Sequence, residues 1–427
     1  MASAATTKRI SLKSNGNEVN ADSDAPALSA SGRFVAFESV GQFVPGDTGT
    51  DADIFVRDTG SHKTTRVSVK SDGGEANGDS EQASVSADGR LVAFTSEAAL
   101  VAGDTNGVED VYVRDRKAGK TKRVSVTPSG QQVFADSSNP SISADGRFVA
   151  FQSDAAVVGT DTNGVSDVYV RDMNAHTTLR VSLRSNGTQP TQPSTLSDEG
   201  TVNRASRISS DGRFVTFESN DGHMTGRTDC CNPPLFDSDV FVRDLQNNKT
   251  ARVSLKSNGG EADQLNQVAS GNPSISGDGR FVAFQSVGAF VGGDANGQAD
   301  IYVRDRKTGN TLLVSVKSNG SQGSGPVSSA STLPSISASG RFVSFESYAA
   351  LVGSDANPAR DVYVRDRTAG TTKRASVKSN GQGVSGYEHQ LSAISGDGRF
   401  VAFISFGHFT AGDAGTDFDV FERGPLF

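Results

Sequence analysis

Gly32-Arg33-Phe34-Val35-Ala36-Phe37 recurs as Gly89-Arg90-Leu91-Val92-Ala93-Phe94 and then, with at most one change, from Gly146, Gly212, Gly279, Gly340 and Gly398. The intervals are 57, 57, 66, 67, 61 and 58 residues. A fixed period of this size built on short apolar runs is the mark of a radial or stacked repeat protein. It overrides the two or three domains that 427 residues would otherwise suggest.

One repeat reads as four strands. Pro140–Ser143 is a short first strand, and Ala144-Asp145-Gly146 is a tight turn. Arg147–Phe151 is a continuous apolar strand suited to burial on both faces. Asp167–Asp172 is the third strand, and Arg180–Leu183 alternates polar and apolar as the fourth. Four-stranded antiparallel sheets packed face to face around an axis make a propeller.

The chain begins out of phase with this unit. Arg9-Ile10-Ser11-Leu12 is a fourth strand with no first three before it, and Asp419–Arg423 is a third strand with nothing after it. The expectation is one all-β domain over residues 1–427, a seven-bladed β-propeller of four-stranded antiparallel blades. Residues 8–13 then supply the outer strand of the last blade and remove an open edge.

The Ser-Ala-Asp-Gly-Arg-Phe-Val-Ala-Phe and Asp-Val-Tyr-Val-Arg-Asp patterns resemble the TolB-type, WD-like β-propeller repeats of bacterial secreted and envelope proteins. The resemblance spans essentially the whole chain, without a counterpart of the TolB N-terminal domain. It implies the propeller fold and an extracellular, envelope or periplasmic setting. It does not fix a function, because this fold hosts binding platforms, lyases, hydrolases and lectins.

Composition narrows the partners. The net charge is −8 and no basic run of five appears, which disfavours nucleic acid. Apolar runs of about five residues are too short for a bilayer. Met1-Ala2-Ser3 reads as a start placed on a chain whose signal peptide has been removed. The two cysteines, Cys230 and Cys231, are adjacent, so they make neither a disulfide framework nor a zinc site. The expected state is a monomer.

Strand direction places short turns on one face and long connections on the other. On the short-loop face Arg33 should meet Asp58, as Arg90 meets Asp115, Arg147 Asp172 and Arg280 Asp305, a repeated brace. On the long-loop face a seven-residue frame precedes the third strand: Asp104/Asn106/Asp110, Asp161/Asn163/Asp167, Asp294/Asn296/Asp300 and Asp355/Asn357/Asp361. In blades one and seven glycine replaces the asparagine and an aspartate arrives at position five, giving Asp47/Asp51/Asp53 and Asp413/Asp417/Asp419. Three side-chain oxygens per frame suit Ca²⁺ at up to six sites; the alternative is an Asn-Gly turn with a capping aspartate.

Blade four lacks the frame and carries two enlarged long-face connections, with Arg204, His223, Arg227 and Asp229 as ligand-binding candidates. His223, Glu388 and His389 are the candidates for acid–base chemistry. Phe43, Phe134, Phe290, Tyr348 and Phe409 belong either to the core or to a stacking surface. The expected function is a calcium-binding module that takes a protein or carbohydrate through its long-loop face. The alternative is a lyase or hydrolase at the channel mouth near blade four or seven.

Overall fold

The computed structural model describes residues 4–427 apart from 76, 196–207, 222, 226–237, 263–268, 324–329, 356, 385, 412 and 414. It is a seven-bladed β-propeller of four-stranded antiparallel sheets. Blade two is typical, with strands Ser80–Val85, Leu91–Ser96, Asp110–Asp115 and Lys120–Arg123 running from the axis outward. The innermost strands of blades one, two and three, and of blades five, six, seven and one, touch their neighbours around the channel.

The seventh blade closes the ring. Its strands His389–Ile394, Val401–Ser405 and Asp419–Gly424 are completed by Thr6–Arg9, which pairs antiparallel to the third. This outer strand lies a few residues earlier than the 8–13 of the sequence reading. The same shift applies throughout: in blade three the fourth strand is Thr177–Arg180. The arginine therefore ends the strand, and the residues after it turn away.

The repeated phrase explains the packing. Its fourth and fifth positions, Val and Ala with Thr216 and Ser344 as the exceptions, are fully buried in every second strand. Its last aromatic stacks on the aromatic of the third strand, as Phe94 on Tyr112 with ring centroids 6.0 Å apart. Such pairs add about 0.5–1.5 kcal/mol beyond area burial. The turn glycine is required twice over. Gly89 has φ +71°, and a Cβ there would stand 2.1 Å from Phe34 of the preceding blade.

Neighbouring blades are also joined by polar groups. Six of the first strands bulge at a residue with positive φ, such as Gln82, Asn272 or Leu333. The bulge N–H groups of these three donate to Glu38, Glu218 and Gln285 of the preceding blade. That satisfies backbone donors that a sheet edge would otherwise leave buried and unpaired.

On the short-loop face the turns interlock into a closed collar. Ala30 N–H donates to Ala87 O, Ala87 to Ala144, Ala144 to Ser210, Ser210 to Gly277, Gly277 to Ala338 and Ala338 to Gly396. Asp397 N–H donates back to Ala30 O at 2.8 Å. Hydrogen-bonded backbones about 5 Å apart put this seven-membered ring at a radius of roughly 6 Å before side-chain volume is subtracted.

Candidate functional site

The repeated brace forms as the spacing predicts, and in six blades. Arg33, Arg90, Arg147, Arg213, Arg280 and Arg341 meet Asp58, Asp115, Asp172, Asp244, Asp305 and Asp366 at 2.5–2.8 Å. The arginine hydrogen bond holds Asp115 down to about 2, and the Asp115 carboxylate also accepts the N–H groups of Lys117 and Ala118 in the hairpin. Blade seven ends instead in Gly424.

The acidic frames have a partner that the sequence reading did not assign to them. In blade two, Arg123 Nη1 lies 3.2 Å from Asp104 and 2.8 Å from Asp110. Arg180 Nη1 does the same for Asp161 and Asp167, and Arg374 meets Asp355 through Nη1 and Asp361 through Nη2. Arg9 closes Asp413 and Asp419, and Arg66 closes Asp47 and Asp53. These guanidinium side chains are only 4–7% exposed.

In blades two, three, five and six the rest of the frame is equally well supplied. The serine two residues after the arginine donates to the position-seven aspartate, as Ser376 to Asp361 at 2.6 Å. Tyr112, Tyr169, Tyr302 and Tyr363 donate their hydroxyls to Asp104, Asp161, Asp294 and Asp355. Asn106, Asn163, Asn296 and Asn357 turn their amide nitrogens toward Asp110, Asp167, Asp300 and Asp361. Asn163, Asn296 and Asn357 also accept the N–H two residues on, the geometry of an Asx turn. In blades two, three and six a calcium ion between the two carboxylates would need the place of the guanidinium group. The residues there do not fit it.

Blade five is the exception in charge. Leu313 stands where the other six blades carry arginine. Gln322 Nε2 instead donates to both Asp294 and Asp300 at 3.0 Å, and burial raises Asp300 to about 6.

Blade one differs in another way. Asp47, Asp53 and Glu75 bring one carboxylate oxygen each within 4.8 Å of one another, the one such convergence of metal-ligating groups among the described residues. Burial, with Asp53 nearby, pushes Asp47 up to about 6, whereas the Arg66 hydrogen bond holds Glu75 at about 2. Asp51 accepts the Gly78 N–H at 2.9 Å.

The inner part of the long-loop face carries a cluster unique to blades six and seven. Arg360, just before the third strand of blade six, donates to the buried Glu346 at 3.2 Å and to the Tyr348 hydroxyl at 3.0 Å. Its guanidinium lies 4.9 Å from the centroid of the Tyr348 ring. Tyr348 donates to Glu388 at 3.1 Å. Burial pushes Glu346 up to about 7. Next in sequence to Glu388 is the exposed Tyr387, edge-on to His408, and in blade seven Phe406 packs on Phe418. At the position of Arg360, blade two has Glu109, which burial raises to about 7 with Glu81, Asp136 and Glu97 nearby.

The other candidates are dispersed. His389 is fully buried, bonded to Ser405 at 2.7 Å, and burial lowers it to about 3. It replaces a serine: Ser80 with Ser96 and Ser137 with Ser153 make the corresponding bridge elsewhere. Glu388 is half-exposed and His223 exposed. Arg204, Arg227 and Asp229, like Cys230 and Cys231, lie outside the described residues. Phe43, Phe290 and Phe409 belong to the core, Tyr348 is half-buried and Phe134 is 75% exposed.

No protein-family model and no curated protein sequence matches the chain. Solved structures do. An oligogalacturonate lyase from Vibrio parahaemolyticus is similar with TM-score 0.56 and 10% identity, over 98% of this chain and 93% of that one. An oligogalacturonate lyase in complex with manganese is similar with TM-score 0.55 and 12% identity, over the same shares. TolB from Acinetobacter baumannii aligns with TM-score 0.39 and 15% identity over 75% of this chain, which covers only 58% of that protein. These likenesses are to the propeller fold. Among the described residues no helix is long and apolar enough to cross a membrane.

Proposed function

We propose that this propeller is a binding module of the bacterial envelope or exterior that takes a carbohydrate, or a protein bearing similar polar groups, on its long-loop face at blades six and seven. The observation that carries this reading is the Arg360–Tyr348–Glu388 cluster over buried Glu346. A repeat protein places structural residues in every blade and functional ones where a blade departs from its siblings. This cluster has no copy: the positions of Tyr348 and Arg360 are Val40 and Ala52 in blade one, Val287 and Ala299 in blade five. An arginine fork, a tyrosine ring and a carboxylate together match the hydroxyls, apolar faces and acid groups of sugars. The collar narrows the opposite mouth, which favours approach from this side.

A glycan array with the whole chain tests the reading. Binding is expected to at least one glycan class, with a loss of about tenfold or more for Arg360→Ala and for Tyr348→Ala. Binding that neither variant weakens would contradict it. A second reading, a lyase or hydrolase at the same mouth, draws on Glu388 and Arg360 both reaching solvent beside Tyr348. The fold neighbours named for oligogalacturonate make that polymer the substrate to try first.

A further inference from the structure

Blades one and seven depart from the acidic frame in the same four ways. Phenylalanine (Phe55, Phe421) replaces the tyrosine, glycine (Gly49, Gly415) replaces the asparagine, and an aspartate (Asp51, Asp417) appears at position five. A glutamate (Glu75, Glu18) stands where blades two, three and five have Gln132, Gln189 and Gln322. These exchanges remove three neutral donors and add two acids, so they work together in one direction.

Blade one shows the result most fully. Asp47 Oδ2 is buried and accepts no hydrogen bond, and its side chain is only 4% exposed. In blades two, three, five and six the corresponding oxygen takes the tyrosine hydroxyl, which Phe55 cannot offer. Around it stand Asp53 and Glu75, and the single nitrogen Arg66 Nη1 serves all three carboxylates at 2.9–3.2 Å. One positive charge faces three negative ones. Gly49 keeps the space beside them open: a Cβ there would lie 3.3 Å from Glu75 Oε1 and 3.9 Å from Asp51 Oδ2. An orphaned buried carboxylate oxygen among excess acid is a costly arrangement unless a cation completes it.

We propose that blade one holds one divalent cation, bound by Asp47 Oδ2 with Asp53 and Glu75, beside Arg66 rather than in its place. The donors are all oxygen, which selects calcium or magnesium over zinc or copper. Irregularly placed carboxylates on a loop suit calcium, which tolerates varied geometry where magnesium demands an octahedron. The site is independent of the ligand face at blades six and seven.

The test restores the missing hydroxyl without touching an acid. Phe55→Tyr reproduces an arrangement the fold already accepts: in blade five Phe290 packs on Tyr302 as Phe43 packs on Phe55, and Tyr302 donates to Asp294. Calcium is titrated into the metal-stripped whole chain by calorimetry, with melting followed in parallel. The wild type is expected to bind calcium in the ~10⁻⁴–10⁻³ M range of extracellular modules and to melt higher in its presence. Phe55→Tyr and Asp47→Asn, folded by circular dichroism, are each expected to bind one calcium fewer per chain. No binding by the wild type up to ~10⁻² M, ten times the weak end of that range, would overturn the proposal. So would calcium counts in both variants equal to that of the wild type.

Discussion

The third strand of blade two has an arginine–aspartate pair at each end. At its start, Asp110 is sealed with Arg123 inside the sheet; at its end, Asp115 meets Arg90, whose side chain is 47% exposed. The residue types are the same and the distances, 2.8 and 2.5 Å, are comparable. What differs is water. An exposed pair is screened and contributes about 0–1 kcal/mol. A buried pair adds modestly as a whole, but removing one partner strands a charge and costs about 3–5 kcal/mol. The buried pair is therefore the one on which the blade depends.

The largest expected effect follows at once. Arg123→Leu leaves Asp104 and Asp110 without their cation and should destabilise the chain by about 3–5 kcal/mol in urea unfolding.

Next comes a buried acid that has no arginine at all. Six blades carry valine at one third-strand position, Val113 in blade two, and blade seven carries Glu422 there. Glu422 is 3% exposed and its Oε1 has no hydrogen-bond partner. Glu422→Val should stabilise the chain by about 1–3 kcal/mol at neutral pH. Burial raises Glu422 from 4.5 to about 7, so the unfolded chain gives up this proton first. Its contribution to stability thus falls as pH rises from about 4.5 to about 7, and the valine variant should lose that part of the slope.

A smaller effect of the same sign is expected in blade five. Leu313→Arg supplies the guanidinium that Asp294 and Asp300 lack. Desolvation offsets much of the attraction, so a gain of about 1 kcal/mol is expected by the same unfolding assay. Asp300, raised to about 6, should also cease to weaken the fold as pH climbs from about 4 to about 6.

Much of the architecture was legible because it repeats. The seven Gly-Arg-Phe/Leu phrases fixed blade number, and the unpaired strands at the two termini fixed the closure. The Arg90–Asp115 type of brace followed from hairpin register alone. The internal arginine was harder to see, since Arg123 meets Asp110 only through a register that places the fourth strand a few residues before its apparent start. Aspartates counted without it read as six calcium frames. The signal was nonetheless present: arginine occupies that place in six blades, and Leu313 breaks the run. His389 is a similar case. Next to Tyr387 and Glu388 it reads as chemistry, yet aligned with Ser80, Ser137 and Ser331 it falls at a buried bridge. The Tyr348–Arg360 contact joins residues twelve apart across a long loop, which no strand period reveals.

Two double-mutant cycles test the comparison most directly, one on Asp110 and Arg123 and one on Asp115 and Arg90, both followed by urea unfolding. The buried pair should show a coupling in the upper half of the ~0.5–3 kcal/mol range for groups in contact. The exposed pair should stay within about 0–1 kcal/mol. Equal couplings, or a larger one at Arg90, would contradict the view that the sealed guanidinium of the blade-two frame is what holds the blade.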